Sequence, residues 1–150
     1  MFAPELPPAD GPAPESVRRL QAIEEVRGRF EDKPFELGRN DCLQLARAML
    51  VAMGHRVPKP PKYRSLVAAR RALKGQGAAN LSELLDKYLE PIVPAAMLPG
   101  DIGLVEGTQD EGGETLVVSL GRKVWGWHPD SETLAVIDPE PGAIRRAWRA

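Results

Sequence analysis

Cys42 is the residue with the clearest chemical potential, and it is the single cysteine of the 150-residue chain. It follows Asn40 and Asp41, either of which can cap a helix, so the thiol falls in the first turn of a predicted helix. The positive end of the helix dipole favours a thiolate, which is the nucleophilic form. Cys42 also shares a helix face with Leu45 and Met49, as a buried apolar side chain would. The pattern therefore leaves two interpretations open, nucleophile or core residue.

A cysteine nucleophile needs a base within hydrogen-bonding distance, normally a histidine, and the chain has 2 histidines. His55 follows the end of the same predicted helix, about 20 Å from Cys42 at about 1.5 Å per residue, and is too far away. His128 follows a predicted strand and can approach Cys42 only through the tertiary fold. His128 is therefore the candidate base if the protein is an active enzyme.

The overall composition excludes several classes of protein. There are 20 basic and 21 acidic side chains, and a net charge of -1 lacks the cationic field of a non-specific nucleic-acid binder. A single cysteine excludes a disulfide framework and a cysteine-rich zinc site, and we expect no metal and no cofactor. No apolar run is long enough to span a bilayer and no secretion signal is visible, so we expect a soluble protein without membrane insertion.

The chain divides into a proline-rich arm at residues 1–15 and a single domain at residues 16–150. The arm has no core of its own and favours polyproline geometry. Phe2 and Leu6 are its two large apolar side chains, and we expect them to anchor the arm on a partner protein.

Helical periodicity and turn residues predict the secondary structure of the domain. The apolar stripe of the first helix includes Val17 and Leu20, and that of the fourth includes Tyr88. Helices are expected at residues 16–30, from Cys42 to Gly54, at 65–73 and from 81 to near Pro91, and strands at 102–105, 116–120, 123–127, 133–137 and 143–148. Helices followed by strands indicate an α+β fold, with a helical N-terminal half packed on a small antiparallel sheet.

Two segments of opposite charge suggest a protein-binding surface. The stretch from Arg56 to Lys74 has seven lysines or arginines and no carboxylate, whereas the loop at 106–114 is acidic. Patches of opposite sign suit the steering and registration of a protein partner. Tyr63 is the one aromatic residue of the basic stretch, so nucleic acid is not the expected partner. The predicted partner-binding cations are Arg56, Lys59, Lys62 and Arg64.

Three segments together carry a family resemblance: FELGRNDCLQLA at 35–46, PGDIGL at 99–104 and LVVSLG at 116–121. They resemble the papain-like cysteine peptidases of the NlpC type that cut bacterial cell walls. The chain is more closely similar to an uncharacterised papain-like domain encoded in phage and prophage tail modules. The resemblance covers roughly residues 34–148. It implies that the Asp-Cys pair opens the central helix, that a Gly-Asp turn starts the sheet, and that a histidine heads the next strand as the general base.

The chain departs from these peptidases at the base. The resemblance places their histidine at Thr115 or its neighbour Glu114. Threonine does not titrate usefully, and a solvated glutamate repels a thiolate more than it accepts its proton. His128 falls near the position of the family's third, orienting polar residue. The sequence therefore predicts a papain-like core with a degenerate active site, in which Cys42 is a remnant of a nucleophile.

On this interpretation the protein is a structural component of the tail tip or hub region of a phage or phage-derived particle. It would be made in the bacterial cytoplasm, reside in the virion and contact other tail tip and hub proteins. The first alternative is an active peptidase that cleaves the peptide stems of peptidoglycan, with Cys42 as nucleophile and His128 as base. The second is a tail-assembly factor that is absent from the final particle.

Overall fold

The computed structural model describes residues 13–107 and 113–150, and this part of the chain combines helices and one sheet. The helices come first: α1 (Glu15–Phe30), α2 (Cys42–Ala52), α3 (Leu66–Gly75) and α4 (Leu81–Tyr88). The strands follow: β1 (Pro91–Ile92), β2 (Ile102–Glu106), β3 (Glu114–Ser119), β4 (Val124–Gly126), β5 (Ala135–Ile137) and β6 (Arg146–Trp148). The predicted α+β class is confirmed. None of the helices in the described ranges has the length and apolar content needed to cross a membrane.

Local caps explain where three of the helices begin. Asp41, Ser65 and Asn80 each accept a side-chain hydrogen bond from the backbone N–H three residues later. These bonds satisfy N–H groups that have no partner inside the helix. At α4 the Glu83 carboxylate also accepts a bond from the N–H of Ala79, at 2.6 Å. Cys42 is therefore the first helical residue of α2, directly after its Asp41 cap.

The six strands form one antiparallel sheet in the order β1-β6-β2-β3-β4-β5. The C-terminal strand β6 lies between β1 and β2, so β1 and β6 pair at one edge of the sheet. The hairpin of β2 and β3 pairs Ile102 with Val118 and Glu106 with Glu114. This register brings the start of β3 to the far end of β2.

The core lies between α1, α2 and one face of the sheet. Leu45 and Met49 of α2 are fully buried against residues of the strands. The strand residues that face these helices come from positions that are paired across the sheet: Ile102, Leu104, Leu116, Val118, Trp125 and Trp148. Because side chains alternate along a strand, this shared register places all six on one face.

Two predicted helix stripes are wrong in part. On α1, Val17 and Leu20 are exposed, and Arg19 is buried instead. Arg19 lies on the same face as the buried Ile23 and Val26, because its guanidinium binds a buried carboxylate, as described next. Tyr88 on α4 is also exposed, because the helix ends there and only Leu84 and Leu85 of α4 are buried.

A buried ionic cluster, the Asp101 junction, joins three distant parts of the chain. Asp101 has no exposed surface. Its Oδ1 accepts hydrogen bonds from Arg19 Nη1 and from the Ala150 N–H, both at 2.9 Å. Its Oδ2 accepts from the Leu98 N–H at 2.8 Å and from Arg149 Nη1 at 2.7 Å. The junction ties α1 to the turn that begins β2 and to the residues after β6.

Candidate functional site

A pocket lies beside the N-terminus of α2, and we call it the Cys42 pocket. Its volume is about 230 Å³. Its walls come from the loop before α2, the first turn of α2, one face of α3, the first turn of α4 and the start of β3. Most of the lining is apolar, with Leu43, Leu66, Leu73, Leu81 and Leu84 among its residues. The pocket can therefore accept an apolar side chain.

Cys42 lies in the wall of this pocket as well as at the edge of the core. Its side chain is partly buried and packs against the core cluster. Its position as the first residue of α2 puts the thiol close to the backbone N–H groups of a helix N-terminus. The position of Cys42 is thus compatible with both interpretations of the sequence, a nucleophile and a core residue.

Asp41 organises the turn before the pocket. The carboxylate is buried and accepts three hydrogen bonds, from Gly38 N–H at 2.7 Å, Gln44 N–H at 2.9 Å and the Tyr63 hydroxyl at 2.7 Å. All three donors are neutral, and the helix dipole adds to the stabilisation of the negative charge. Asp41 therefore joins the loop before α2, α2 itself and the basic stretch.

Tyr63 is the residue through which the basic stretch reaches this turn. Burial of the ring raises the pKa of Tyr63 well above its ordinary value, and the charge of Asp41 and the hydrogen bond to it raise it further. The phenol is thus held as a neutral donor to Asp41.

Gly38 allows the two chain segments to cross closely. Its φ is +87°, a left-handed conformation that glycine adopts without steric cost. A Cβ at this position would overlap the carbonyl oxygen of Tyr63. Any other residue would have to push the two segments apart.

The two histidines lie elsewhere. His55 follows the C-terminal end of α2, and its N–H binds the carbonyl of Leu50. The side chain of His128 is 46% exposed, and its Nδ1 accepts a hydrogen bond from the Asp130 N–H at 3.1 Å. Neither histidine lines the Cys42 pocket. The structure does not bring His128 to the pocket wall that contains Cys42.

Glu114 and Thr115 do lie in that wall. Glu114 is the first residue of β3, and its Oε2 accepts a hydrogen bond from the N–H of Leu81, the first residue of α4, at 3.2 Å. The strand position at which the resemblance expects a histidine thus faces the same pocket as Cys42. Of the two residues, Glu114 has a carboxylate that accepts a hydrogen bond at the N-terminus of α4.

A wider depression adjoins the Cys42 pocket, and we call it the basic groove. Its volume is about 800 Å³. It shares Leu37, Pro60 and Tyr63 with the Cys42 pocket, so the two are adjacent. Five cations line it, Arg29, Arg39, Lys59, Lys62 and Arg64, together with one carboxylate, Glu36.

The sequence identified only part of this groove. Lys59, Lys62 and Arg64 were predicted as partner-binding cations, and all three line it. Arg56 is exposed but lies outside its lining. Arg29 at the end of α1 and Arg39 in the loop before α2 were missed, because only the tertiary fold brings them to the basic stretch.

Other predicted features lie at the margins of the described structure. Phe2 and Leu6 fall outside the described residues, as do residues 108–112 of the acidic loop. At one end of that loop, Glu106 forms an ion pair with Arg145 at 3.2 Å. Within residues 13–107 and 113–150, no group of three or more His, Cys, Asp or Glu side chains is placed to hold a metal ion.

Fold and site together define an α+β domain in which a helix N-terminal cysteine lines an apolar pocket that adjoins a basic groove. The chain belongs to the family described as Domain of unknown function (DUF6950), which it matches over residues 18–150. Comparisons with curated proteins and with solved structures find no match.

Proposed function

We propose that the protein is a structural component of the tail tip or hub region of a phage or phage-derived particle, built on a degenerate papain-like peptidase fold. In this role Cys42 performs no hydrolysis, and surfaces of the domain bind neighbouring tail proteins. The basis for the tail location is the resemblance in the segments at 35–46, 99–104 and 116–121. The basis for a non-enzymatic role is the geometry around Cys42.

One observation carries the non-enzymatic part of the proposal. The resemblance places the base of the peptidases at Thr115 or its neighbour Glu114, and both residues line the Cys42 pocket, where the Glu114 carboxylate accepts a hydrogen bond from the Leu81 N–H. Threonine does not titrate usefully, and a carboxylate is a weaker base toward a thiol than an imidazole is. The side chain of His128 is 46% exposed and is hydrogen-bonded to Asp130 within its own turn. A hydrolytic cycle would need a base that reaches the pocket wall.

The alternative function is an active peptidase that cleaves peptide stems of peptidoglycan. It is favoured by the position of Cys42, which is the first residue of α2 and lines a pocket. In that reaction His128 takes the thiol proton as Cys42 Sγ attacks an amide carbonyl, and the Cys42 N–H stabilises the oxyanion. The C–N bond then breaks, His128 returns the proton to the leaving amine, and water hydrolyses the thioester to regenerate the thiol. This mechanism requires His128 to leave the Asp130 turn and move to the pocket.

Digestion of purified muropeptides separates the two functions. The wild-type protein, Cys42→Ala and His128→Ala are each incubated with muropeptides, and the products are separated by chromatography. We expect no cleavage above the buffer control for any of the three. Release of stem fragments by the wild type, lost in Cys42→Ala, would establish the peptidase instead.

The tail location is tested in particles from a strain that carries this gene. Purified particles are analysed by quantitative mass spectrometry, with Cys42→Ala introduced at the same locus. We expect the protein in the particle at a fixed ratio to other tail proteins, and the same ratio and infectivity for Cys42→Ala. Abundance in the lysate together with absence from the particle would point to an assembly factor.

A further inference from the structure

We infer that the basic groove binds an extended acidic segment of a neighbouring protein, with an apolar side chain of that segment inserted into the Cys42 pocket. This inference rests on the proposed function, because it names the chemistry of the tail protein that the domain would contact. The charge of the groove, the apolar lining of the Cys42 pocket and the adjacency of the two support it.

The charge of the groove is not balanced within the described part of the chain. Arg29, Arg39, Lys59, Lys62 and Arg64 are all exposed. None of them lies within 4.0 Å of a carboxylate of residues 13–107 or 113–150. By contrast, Arg19, Arg145, Arg146 and Arg149 each pair with an acidic side chain. The chain as a whole has a net charge of -1, so this local excess of cations is a property of the groove.

Converging cations repel one another, and a ligand that brings carboxylates relieves this repulsion. Arginine also binds carboxylates through two parallel hydrogen bonds, which fixes the orientation of the ligand. Arg39, in the loop before α2, and Arg64, next to Tyr63 in the sequence, both line the groove and offer such contacts. Complementary charge of this kind fixes the register of the bound ligand and increases its rate of association.

The neighbouring pocket narrows the chemistry of the ligand. Leu37, Pro60 and Tyr63 belong to both linings, so a chain lying in the groove is adjacent to the Cys42 pocket. A cavity of about 230 Å³ with leucine walls suits one apolar side chain. An acidic peptide with an interspersed leucine, isoleucine or methionine matches both the cationic groove and the apolar pocket.

Nucleic acid fits the same surface less well. Single-stranded nucleic acid binds through aromatic rings on which bases stack, in addition to backbone charge. Tyr63, the aromatic residue shared by both depressions, is buried and donates its hydroxyl to Asp41. A negative net charge also opposes a long polyanion, whereas a short acidic segment experiences only the local field.

Calorimetric titration with defined probes tests the inference. The full chain is titrated with a soluble peptide of alternating glutamate and leucine, with its glutamate–serine counterpart, with a lysine–leucine peptide and with single-stranded oligothymidylate. We expect the glutamate–leucine peptide to bind most tightly, at least about tenfold more tightly than any other probe at about 0.15 M salt. Equal binding of the serine counterpart would overturn the apolar part, and tighter binding of the oligonucleotide would overturn the inference.

Charge reversal locates the binding surface. The variant Lys59→Glu, Lys62→Glu, Arg64→Glu removes three groove cations from exposed positions that make no ion pair with described residues. We expect it to lose at least about thirtyfold in affinity for the glutamate–leucine peptide, with an unchanged circular dichroism spectrum.

A matched control keeps the same change in net charge on the same basic stretch. Arg56→Glu, Arg71→Glu, Lys74→Glu alters three exposed cations that line neither depression. We expect less than about threefold loss of affinity. Equal losses in the two variants would mean that the general field of the basic stretch binds the peptide, and would overturn a groove-specific site.

The arm of this chain is the competing occupant, because residues 1–12 contain Glu5 and Asp10 and no cation of their own side chains. A chain lacking residues 1–12 is titrated with the same peptide. Unchanged affinity supports a partner segment, whereas a gain of about tenfold or more would show that the arm occupies the groove and overturn the inference. Presence of the wild-type protein in purified particles despite failed peptide binding would leave the proposed function intact and refute only the inference.

Discussion

Two buried aspartates, Asp101 and Asp41, differ in the kind of groups that surround them. Asp101, in the turn before β2, is bound by two arginines and two backbone N–H groups. Asp41, the cap of α2, accepts only from neutral donors. The first carboxylate is held by ion pairs, and the second is held by hydrogen bonds from neutral groups beside the Cys42 pocket. The Gly-Asp turn is thus closed within the fold, whereas the Asp-Cys turn lies at the wall of a cavity.

The largest expected effect is at the Asp101 junction. Asp101→Asn removes the buried carboxylate that binds Arg19 and Arg149 and leaves the Arg19 guanidinium with the exposed Glu15 carboxylate alone. Removal of one member of a buried pair costs about 3–5 kcal/mol. Urea unfolding measures the free energy of unfolding. The exposed pair of Glu24 and Arg27 supplies the control, because Glu24→Gln should change stability by less than about 0.5 kcal/mol. Similar losses of stability in Asp101→Asn and Glu24→Gln would contradict a large stabilising role for the buried Asp101 junction.

A smaller effect is expected at the Asp41 turn. Tyr63→Phe removes one hydrogen bond to a charged group and leaves Asp41 with its other two, so we expect a loss of about 1.5–3 kcal/mol in urea unfolding. Tyr88→Phe, at an exposed position, is the control and should be nearly neutral.

The protonation of Tyr63 gives a second measurement of the same turn. In the Tyr88→Phe background Tyr63 is the remaining tyrosine, since the chain has 2. Because its pKa is raised in the folded state, the phenol should stay protonated through the range in which an exposed tyrosine ionises, about pH 10. The corresponding stability is present below that range and is lost as the pH rises above it. A tyrosinate absorbance step near pH 10 without unfolding would contradict a buried donor.

The smallest effect is expected at an exposed ion pair between α4 and β6. The Arg146 guanidinium, and then the Trp148 N–H, hold the pKa of Asp86 below its ordinary value through hydrogen bonds. The resulting stability is present above the ordinary aspartate pKa and is lost as the pH falls through the lower, folded-state pKa. Asp86→Asn should therefore cost less than about 1 kcal/mol at neutral pH, and this difference should close in acid. A difference that grew on acidification would reverse the assigned sign.

Local signals account for what the sequence predicted well. The starts of α2, α3 and α4 follow from the caps Asp41, Ser65 and Asn80, each of which binds an N–H only three residues away. The strand β1 was missed because it has two residues, one of them a proline, and exists only through pairing with β6.

Contacts between distant residues account for most of what was missed. The burial of Arg19 depends on Asp101, which is 82 positions away, so helix periodicity assigned the wrong face to Leu20. The same holds for the groove, where Arg29 joins Lys62 through tertiary packing alone. The resemblance singled out Glu114 and Thr115, and both residues line the Cys42 pocket.

The crossing at Gly38 has a mechanical consequence. Its N–H binds Asp41, and a Cβ at this position would overlap the carbonyl oxygen of Tyr63. Because the Gly38 N–H and the Tyr63 hydroxyl bind the same Asp41 carboxylate, a displacement of either segment would disturb the cap of α2. An alanine at position 38 would push the loop before α2 and the segment around Tyr63 apart.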